Sequence, residues 1–428
     1  MKTMGGSKSA WAWVPTLYFA EGIPYFIVNV VSVTMFKRLG MSNADLAMYT
    51  GLLYLPWVIK PFWSPIVDVL KSKRWWVAAM QLLMTLCFAL LALGVPRGPE
   101  AGGIGVFVPS LIVFYITAML SATHDIAADG FYMIALDEHG QSLFVGIRST
   151  FYRIASVFGQ GVIVVVAGLL EERSGDIPMA WTLTLACCSL LFLAITVWNL
   201  FFLPHPVETA PAESNKFKGM LMAFVTFFRK PGIWLAMAFL LLFRLPEALS
   251  VKMLTPFLLD PVSAGGLGLS TVQSGLVYGT VGVIALTLGG IVGGVYAASL
   301  GLRRSMWPMA LSLALPCSVY LYMALAQPES MWTVYFCVAL DQFGYGFGFT
   351  AYMLYMIYFS RGEYKTSNYA ICTAFMALSM MIPGMFAGML QEAMGYVGFF
   401  VLVMVCCLAT VAVTAALSGK VDPGFGKK

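Results

Sequence analysis

The sequence has 428 residues, of which 60% are hydrophobic and only 11% are charged, and its formal net charge is +5. This composition excludes an ordinary soluble protein, in which about a quarter of the residues are charged. The small positive charge is typical of basic loops at a membrane surface and does not indicate nucleic-acid binding. We therefore interpret the chain as an all-α membrane protein.

Apolar stretches of about 20 residues, the length that crosses a hydrocarbon core of about 30 Å, recur along nearly the whole chain. Glycine and proline bound or interrupt most of them. No short apolar core with a small-residue cleavage site opens the chain, so the first stretch is predicted to be a permanent span. The twelve predicted transmembrane helices are 11-36, 43-69, 75-95, 104-137, 142-170, 179-203, 232-259, 270-299, 303-326, 331-360, 365-391 and 396-418.

The basic residues between these spans indicate an orientation, because lysine and arginine concentrate in cytoplasmic loops. With the N-terminus inside, sixteen of the 25 Lys and Arg residues fall in inner segments or at inner span ends, four in outer loops and five well inside spans. Both termini are therefore predicted to be cytoplasmic. All eight cysteines fall within spans without metal-ligand spacing, so free thiols are expected, with no disulfide, metal or cofactor.

The longest polar interruption is 204-231, which begins with prolines and ends with basic residues. It separates an N-terminal half, 1-203, from a C-terminal half, 232-428, and is predicted to be a cytoplasmic linker. FAEGIP (Phe19 to Pro24) interrupts the first span with an acid and a proline, and FRLPEA (Phe243 to Ala248) interrupts the seventh in the same way. Two related six-helix halves resemble the major facilitator architecture, although unrelated twelve-span carriers remain an alternative.

A basic turn follows the second span in DVLKSKRWW, where Asp68, Lys71 and Arg74 resemble a degenerate inner-loop signature of that superfamily. Arg303 and Arg304 follow the eighth span in a similar way. These five residues are interpreted as a latch on the inner face, in which an acid at a helix end meets basic residues. The alternative is an ordinary basic turn with interfacial tryptophans.

Ionisable residues within membrane spans are costly and are therefore candidates for function. Counting about 1.5 Å per residue from the predicted cytoplasmic ends places Glu21, Lys60, Asp125 and Arg153 near the middle of the membrane. The ten acidic and basic residues placed well inside the spans are Glu21, Lys60, Asp125, Asp129, Arg148, Arg153, Arg244, Glu247, Lys252 and Asp341. Five acids and five bases suggest mutual pairing.

Asp125 and Asp129 are four residues apart and share one helix face. We expect Asp125 to pair with Arg153 and Asp129 to pair with Arg148. Such pairs allow proton coupling, with Glu21 as a further acid and Lys60 as a further partner. The alternative is a permanent network of salt bridges that moves no proton.

Arg244, Glu247 and Asp341 are the candidates for substrate binding in the second half, because a guanidinium suits an anionic ligand. Aromatic side chains beside the charges, above all Tyr18, Tyr152 and Tyr345, offer an apolar face to a sugar ring. Lys252 lies nearer the predicted outer end and is expected to snorkel to the interface.

His124 and Asp129 also form an H-x4-D pattern, as in glycerolipid acyltransferases, where the histidine is a general base. The two residues lie about 140° apart around a continuous helix, and no second acyl-binding motif accompanies them. A membrane acyltransferase therefore remains a weaker alternative, and His124 is interpreted as a substrate contact.

The assembled motifs resemble the AmpG-type muropeptide permeases of the major facilitator superfamily over nearly the whole chain. The resemblance rests on FAEGIP, DIAAD (Asp125 to Asp129), Tyr152 with Arg153, FRL (Phe243 to Leu245), Asp341 with Gln342 and, most specifically, KPFWSPIVD (Lys60 to Asp68). It implies functional roles for Lys60, Asp125, Asp129 and Arg153.

The resemblance also implies the substrate and location: a monomeric, non-enzymatic symporter that uses protons to import anhydromuropeptides across a bacterial inner membrane for peptidoglycan recycling. Glu21, His124 and Lys252 depart from the family pattern. Another amphiphilic organic anion, such as a siderophore or acyl-CoA, therefore remains an alternative substrate, and a transport-inactive sensor comes after it.

Overall fold

The computed structural model describes residues 6–97, 103–206, 222, 224–362 and 365–426, and every regular element in these ranges is helical. Contacts divide the chain into two compact units. The first unit contains Met1–Gly40 and Ile59–Ser214, and the second contains Met41–Val58 and Asn215–Lys428. The assignment changes from one unit to the other after Gly40, after Val58 and within the predicted linker 204-231, so residues 41–58 belong to the second unit by their contacts. Most of the linker lies outside the described residues.

Within the described ranges, nine helices are long and apolar enough to cross a membrane. One of them, Ser367–Ser418, contains two helices that meet at Gly395, whose φ of 70° interrupts the helical backbone. The predicted span 43-69 is helical but broken, as Asn43–Leu52 and Leu55–Val69. The predicted span 331-360 is the continuous helix Met331–Phe359, in which tyrosines, glycines and Asp341 reduce the apolar character. All twelve predicted spans thus have helical counterparts.

The first unit is built from helices that follow the predicted spans closely, with short π-helical turns in two of them. Apolar residues of the first and fourth spans, including Trp13, Leu17 and Phe131, make up much of one buried cluster in this unit. Its elements are Gly6–Phe26, Ile27–Val31 (π), Ser32–Arg38, the larger part of Leu55–Val69, Lys73–Leu93, Gly103–Val106 (3₁₀), Val108–Ala135, Glu138–Val157, Phe158–Ile163 (π), Val164–Ser174 and Ile177–Phe202.

The second unit contains the helix Asn43–Leu52 and the helices of the C-terminal part of the chain. Two buried clusters stabilise it, one around Phe239 and Tyr352 and one around Phe257 and Phe400. Its further elements are Ile233–Leu242, Leu245–Leu259, Val262–Ala264 (3₁₀), Thr271–Ser274, Gly275–Gly282 (π), Val283–Leu300, Leu302–Ala314, Leu315–Cys317 (3₁₀), Ser318–Ala326, Met331–Phe359 and Lys365–Ser418.

The two predicted interruptions have different outcomes. Helix Gly6–Phe26 continues through Glu21 and Pro24, because a proline removes only one helical hydrogen bond and neighbouring helices support the rest. The irregular turn follows instead at Ile27–Val31. In the seventh span the interruption is confirmed, since Phe243 and Arg244 separate Ile233–Leu242 from Leu245–Leu259.

Short connections with local caps start several helices where the sequence changes from polar to apolar. Ser72 accepts a hydrogen bond from the backbone N–H of Trp75, and Asp176 accepts one from Met179. Ser270 and Gln273 form a complete capping box. Such caps satisfy N–H groups that a helix start leaves without partners.

The glycine run of Met331–Phe359 permits backbone-to-backbone packing. A Cβ atom at Gly346 would collide with the carbonyl oxygen of Leu286, and one at Gly344 would collide with that of Ser312. Small residues are common where membrane helices approach closely. The glycines therefore seat this helix against Val283–Leu300 on one side and Leu302–Ala314 on the other.

Gly346→Ala should destabilise the protein, because overpacking a close contact typically costs about 1–3 kcal/mol. Gly294→Ala is the matched control, since a Cβ at that position meets no other part of the described structure within 4 Å beyond its own stretch of helix. Thermal unfolding in detergent should show a lower melting temperature for Gly346→Ala only. Equal melting temperatures for both variants would contradict the close packing.

Candidate functional site

The first unit brings four of the predicted charges together as two ion pairs. The ammonium of Lys60, on Leu55–Val69, contacts Asp125 on Val108–Ala135. One turn further along that helix, Asp129 Oδ1 lies 2.9 Å from Arg148 Nη2, on Glu138–Val157. Spacing of four residues places both carboxylates on one helix face, and each meets a cation from a different helix.

Aromatic rings and a fifth charged residue complete this group. Tyr18 donates a hydrogen bond to Asp129 Oδ1 at 3.2 Å, and the Arg148 guanidinium lies 4.6 Å from the centre of the Tyr18 ring. Glu21 is buried within electrostatic range of both pairs, and its Oε2 has no hydrogen-bond partner among the described residues. We call Glu21, Lys60, Asp125, Asp129 and Arg148 the carboxylate cluster.

The predicted pairing of Asp129 with Arg148 is confirmed, but the pairing of Asp125 with Arg153 is wrong. Asp125 pairs with Lys60 instead, because helix Leu55–Val69 places Lys60 next to the face of Val108–Ala135 that carries Asp125. Arg153 is exposed, and Tyr152 packs against the rings of Tyr25 and Phe26.

His124 lies one residue from Asp125 but in a different environment. It is buried, and its Nε2 lies 3.0 Å from Gln81 Nε2, so the amide donates and the imidazole accepts. Gln81 in turn accepts from Asn199, which also contacts Thr16. This series of buried hydrogen bonds directs the His124 ring toward Gln81 and not into the carboxylate cluster. In this structure His124 is therefore not exposed to a substrate.

The H-x4-D pattern therefore does not form an acid and base pair. The helix Val108–Ala135 is continuous, with His124 on Gln81 and Asp129 on Arg148 and Tyr18. Within the described residues there is also no group of three His, Cys, Asp or Glu side chains placed to hold a metal ion.

In the second unit Arg244 and Glu247 form a buried pair. Arg244 donates from Nε and Nη2 to the two carboxylate oxygens of Glu247 at 2.8 and 2.7 Å, and both side chains are only 6% exposed. Nη2 also bonds the Tyr345 hydroxyl at 2.9 Å, and the guanidinium lies 4.6 Å from the centre of the Phe349 ring. Arg244 was predicted to bind an anionic ligand through paired hydrogen bonds, but in this structure Glu247 accepts the two hydrogen bonds from its Nε and Nη2.

Asp341 is a separate buried carboxylate on Met331–Phe359. Its Oδ2 accepts hydrogen bonds from the Tyr320 hydroxyl at 2.6 Å and from Gln342 Nε2 at 3.0 Å. Neutral donors therefore surround this acid, in contrast to the cation-paired acids of the first unit. A role of Asp341 in substrate binding stays a prediction.

Lys252 does not snorkel as expected. The residue is 7% exposed, and its Nζ is enclosed without a hydrogen-bond partner among the described residues. A snorkelling lysine places its ammonium in water or among headgroups, whereas this ammonium lies 5.8 Å from the centre of the Tyr54 ring.

The predicted inner latch is described only in part, because the side chain of Asp68 lies outside the described residues. Lys71, Arg303 and Arg304 are exposed. Arg74 donates to the carbonyl oxygens of Leu200 and Leu203 at 2.7 and 3.2 Å. It thereby caps the C-terminal end of Ile177–Phe202, where a cation is favourable.

Sequence reasoning missed a polar cluster in the second unit. The side-chain amide of Asn43 contacts Asp260, Gln391 and Tyr396, and Tyr396 donates to Asp260 at 2.6 Å. These residues are distant in sequence and lie at predicted span ends, where polar residues are common. The cluster holds the start of Asn43–Leu52 against the second unit.

Residues 15–383 match the sequence profile of the Major Facilitator Superfamily. The chain belongs to this superfamily. The helical content, the twelve predicted spans and the two units agree with that membership, and the chain is therefore a multi-pass membrane transporter and not an enzyme.

Similar proteins support the same superfamily. The anhydromuropeptide permease of Escherichia coli K12 is 22% identical over 90% of this chain and 74% of its own length. A Rickettsia conorii protein that bears the name AmpG 4 is 24% identical over 95% of this chain and 96% of its own. The resemblance to AmpG-type permeases is thus confirmed.

A solved structure also shows the superfamily fold. It is a bacterial homologue of the human lysosomal transporter Spinster, with a TM-score of 0.73 at 14% identity, covering 97% of this chain and 96% of its own.

Proposed function

We propose that this transporter is a proton-coupled symporter that imports anhydromuropeptides across a bacterial inner membrane by alternating access. The observation that carries the proposal is the carboxylate cluster: three acids, Glu21, Asp125 and Asp129, share two cations within the membrane spans of one unit. Such a cluster contains one acid more than its paired cations, so a proton can be accommodated without a new counter-ion.

The chemistry of coupling follows from the pairs. A proton that binds Asp125 neutralises the carboxylate and weakens its attraction for Lys60, and Asp129 and Arg148 are related in the same way. A change in pairing between helices can bias a transporter between two conformations. Proton binding and conformation would then be linked, and symport results when substrate binding is linked to the same conformational change.

The substrate is proposed from the similarity to the Escherichia coli permease, whose name states its substrate. The import direction, a monomeric state and two cytoplasmic termini are part of the same proposal.

Uptake into proteoliposomes tests the proposal. A labelled N-acetylglucosaminyl-anhydromuramyl peptide should accumulate inside vesicles with an alkaline lumen, and a protonophore should abolish the accumulation. Accumulation of a ferric siderophore or an acyl-CoA instead would change the substrate class. Muropeptide entry that ignores the pH gradient would contradict proton coupling.

A further inference from the structure

Lys252 differs from three other cations that lie within the membrane spans and have described ion pairs. Lys60, Arg148 and Arg244 each contact a carboxylate, whereas the Lys252 ammonium is enclosed without a hydrogen-bond partner among the described residues. An ammonium removed from water and left without an anion is unfavourable, so an anionic group that reached Lys252 would gain a partner for which no protein group competes among the described residues.

The Tyr54 ring and Gly384 are two described neighbours of Lys252. The Tyr54 ring provides a cation–π contact, with the ammonium 5.8 Å from the ring centre. Gly384 lies beside the aliphatic part of the lysine side chain: a Cβ atom at this position would be 3.9 Å from Lys252 Cγ. An aromatic ring can stabilise an ammonium partly, but it does not neutralise its charge. Gly384 leaves space there that a side chain would fill.

The segment that carries Tyr54 is packed against the second unit at its start, and its helix is interrupted at Tyr54 itself. Tyr54 belongs to residues 41–58, whose start is held on the second unit by the bonds of Asn43 to Asp260, Gln391 and Tyr396. Leu53 and Tyr54 interrupt the helix between Asn43–Leu52 and Leu55–Val69. Tyr54 therefore belongs to a turn between two helices and not to a continuous helix.

We propose that Lys252 binds a carboxylate of the transported substrate, and that the Tyr54 ring occupies its place when the substrate is absent. This inference rests on the proposed function and adds the chemical class of one substrate group. A single ammonium with three donors matches one singly charged carboxylate, whereas Arg244 already has a bidentate carboxylate in Glu247.

The first test compares a muropeptide that ends in a free carboxylate with the same compound ending in a carboxamide. The wild type should take up the acid with a KM at least several-fold lower than that of the amide. Lys252→Met should raise the KM of the acid to that of the amide and leave the amide unchanged, and Lys252→Arg should keep part of the preference. Lys420→Met, which removes an exposed lysine, is the control. Retained preference in Lys252→Met would overturn the inference.

The second test does not depend on the muropeptide. N-acetylalanine at high concentration should raise the melting temperature of the wild type but not of Lys252→Met, and N-acetylalaninamide should raise neither. Without ligand, Lys252→Met should melt at a higher temperature than the wild type, because an unbalanced charge has been removed. A lower melting temperature, or equal stabilisation of both proteins by the acid, would overturn the inference. Absent muropeptide uptake by the wild type would overturn the proposed function alone.

Discussion

Asp125→Asn should abolish the accumulation of an anhydromuropeptide against its concentration gradient. At zero membrane potential, a pH gradient of one unit supplies about 1.4 kcal/mol per proton, which supports an accumulation ratio of about ten. Asparagine preserves the shape of the side chain but cannot bind and release a proton. The ratio in proteoliposomes should therefore fall to about one, as labelled substrate inside and outside equilibrates.

A second variant separates proton binding from loss of the ion pair. Asp125→Asn leaves the Lys60 ammonium without its carboxylate, and removing one partner of a buried pair is destabilising. The side chains of Lys60 and Asp125 are 29% and 21% exposed, so the loss should be smaller than for a fully buried pair. Lys60→Met combined with Asp125→Asn removes both charges and should restore the melting temperature without restoring accumulation. Full accumulation in the double variant would show that the pair is only structural.

Arg244→Met should have the largest effect on stability among the charge variants. Arg244 and Glu247 are buried and share two hydrogen bonds, so removing one partner should cost about 3–5 kcal/mol of the free energy of unfolding. The Glu247 carboxylate would lose both hydrogen bonds from the guanidinium and would remain as a buried charge without its described counter-ion. Thermal unfolding of the purified protein should show a clearly lower melting temperature.

The double variant Arg244→Met with Glu247→Met is the control for this pair. Apolar side chains of similar length often replace a buried ion pair without loss of stability. Its melting temperature should return close to that of the wild type, and the KM for muropeptide should stay within about twofold if Arg244 is occupied by Glu247. A tenfold rise in KM, about 1.4 kcal/mol, would show instead that Arg244 contacts the substrate.

Most of the fold was predictable because hydropathy and proline or glycine signals repeat along the chain. The twelve predicted spans coincide with helices to within a few residues, since a membrane requires each span to be long and internally hydrogen-bonded. The break at Arg244 was also predictable from FRLPEA. The continuation of the first helix through Pro24 was not, because neighbouring helices decide whether a proline interrupts a membrane helix.

The candidate site was predictable where the partners were close in depth and on adjacent helices. Asp129 and Arg148 satisfied both conditions, and the structure pairs them. Depth alone could not choose between Lys60 and Arg153 as the partner of Asp125, because the choice depends on how the helices are rotated. Nor could the sequence show that Glu247 occupies Arg244 while Lys252 has no hydrogen-bonding partner among the described residues.

The most direct test of proton-coupled import is the movement of protons with the substrate. Proteoliposomes that enclose a pH-sensitive dye, start at equal pH on both sides and are clamped at zero membrane potential should acidify inside when anhydromuropeptide is added outside. Asp125→Asn vesicles and protein-free vesicles should show no acidification. Entry of labelled muropeptide into wild-type vesicles at constant internal pH would contradict the account.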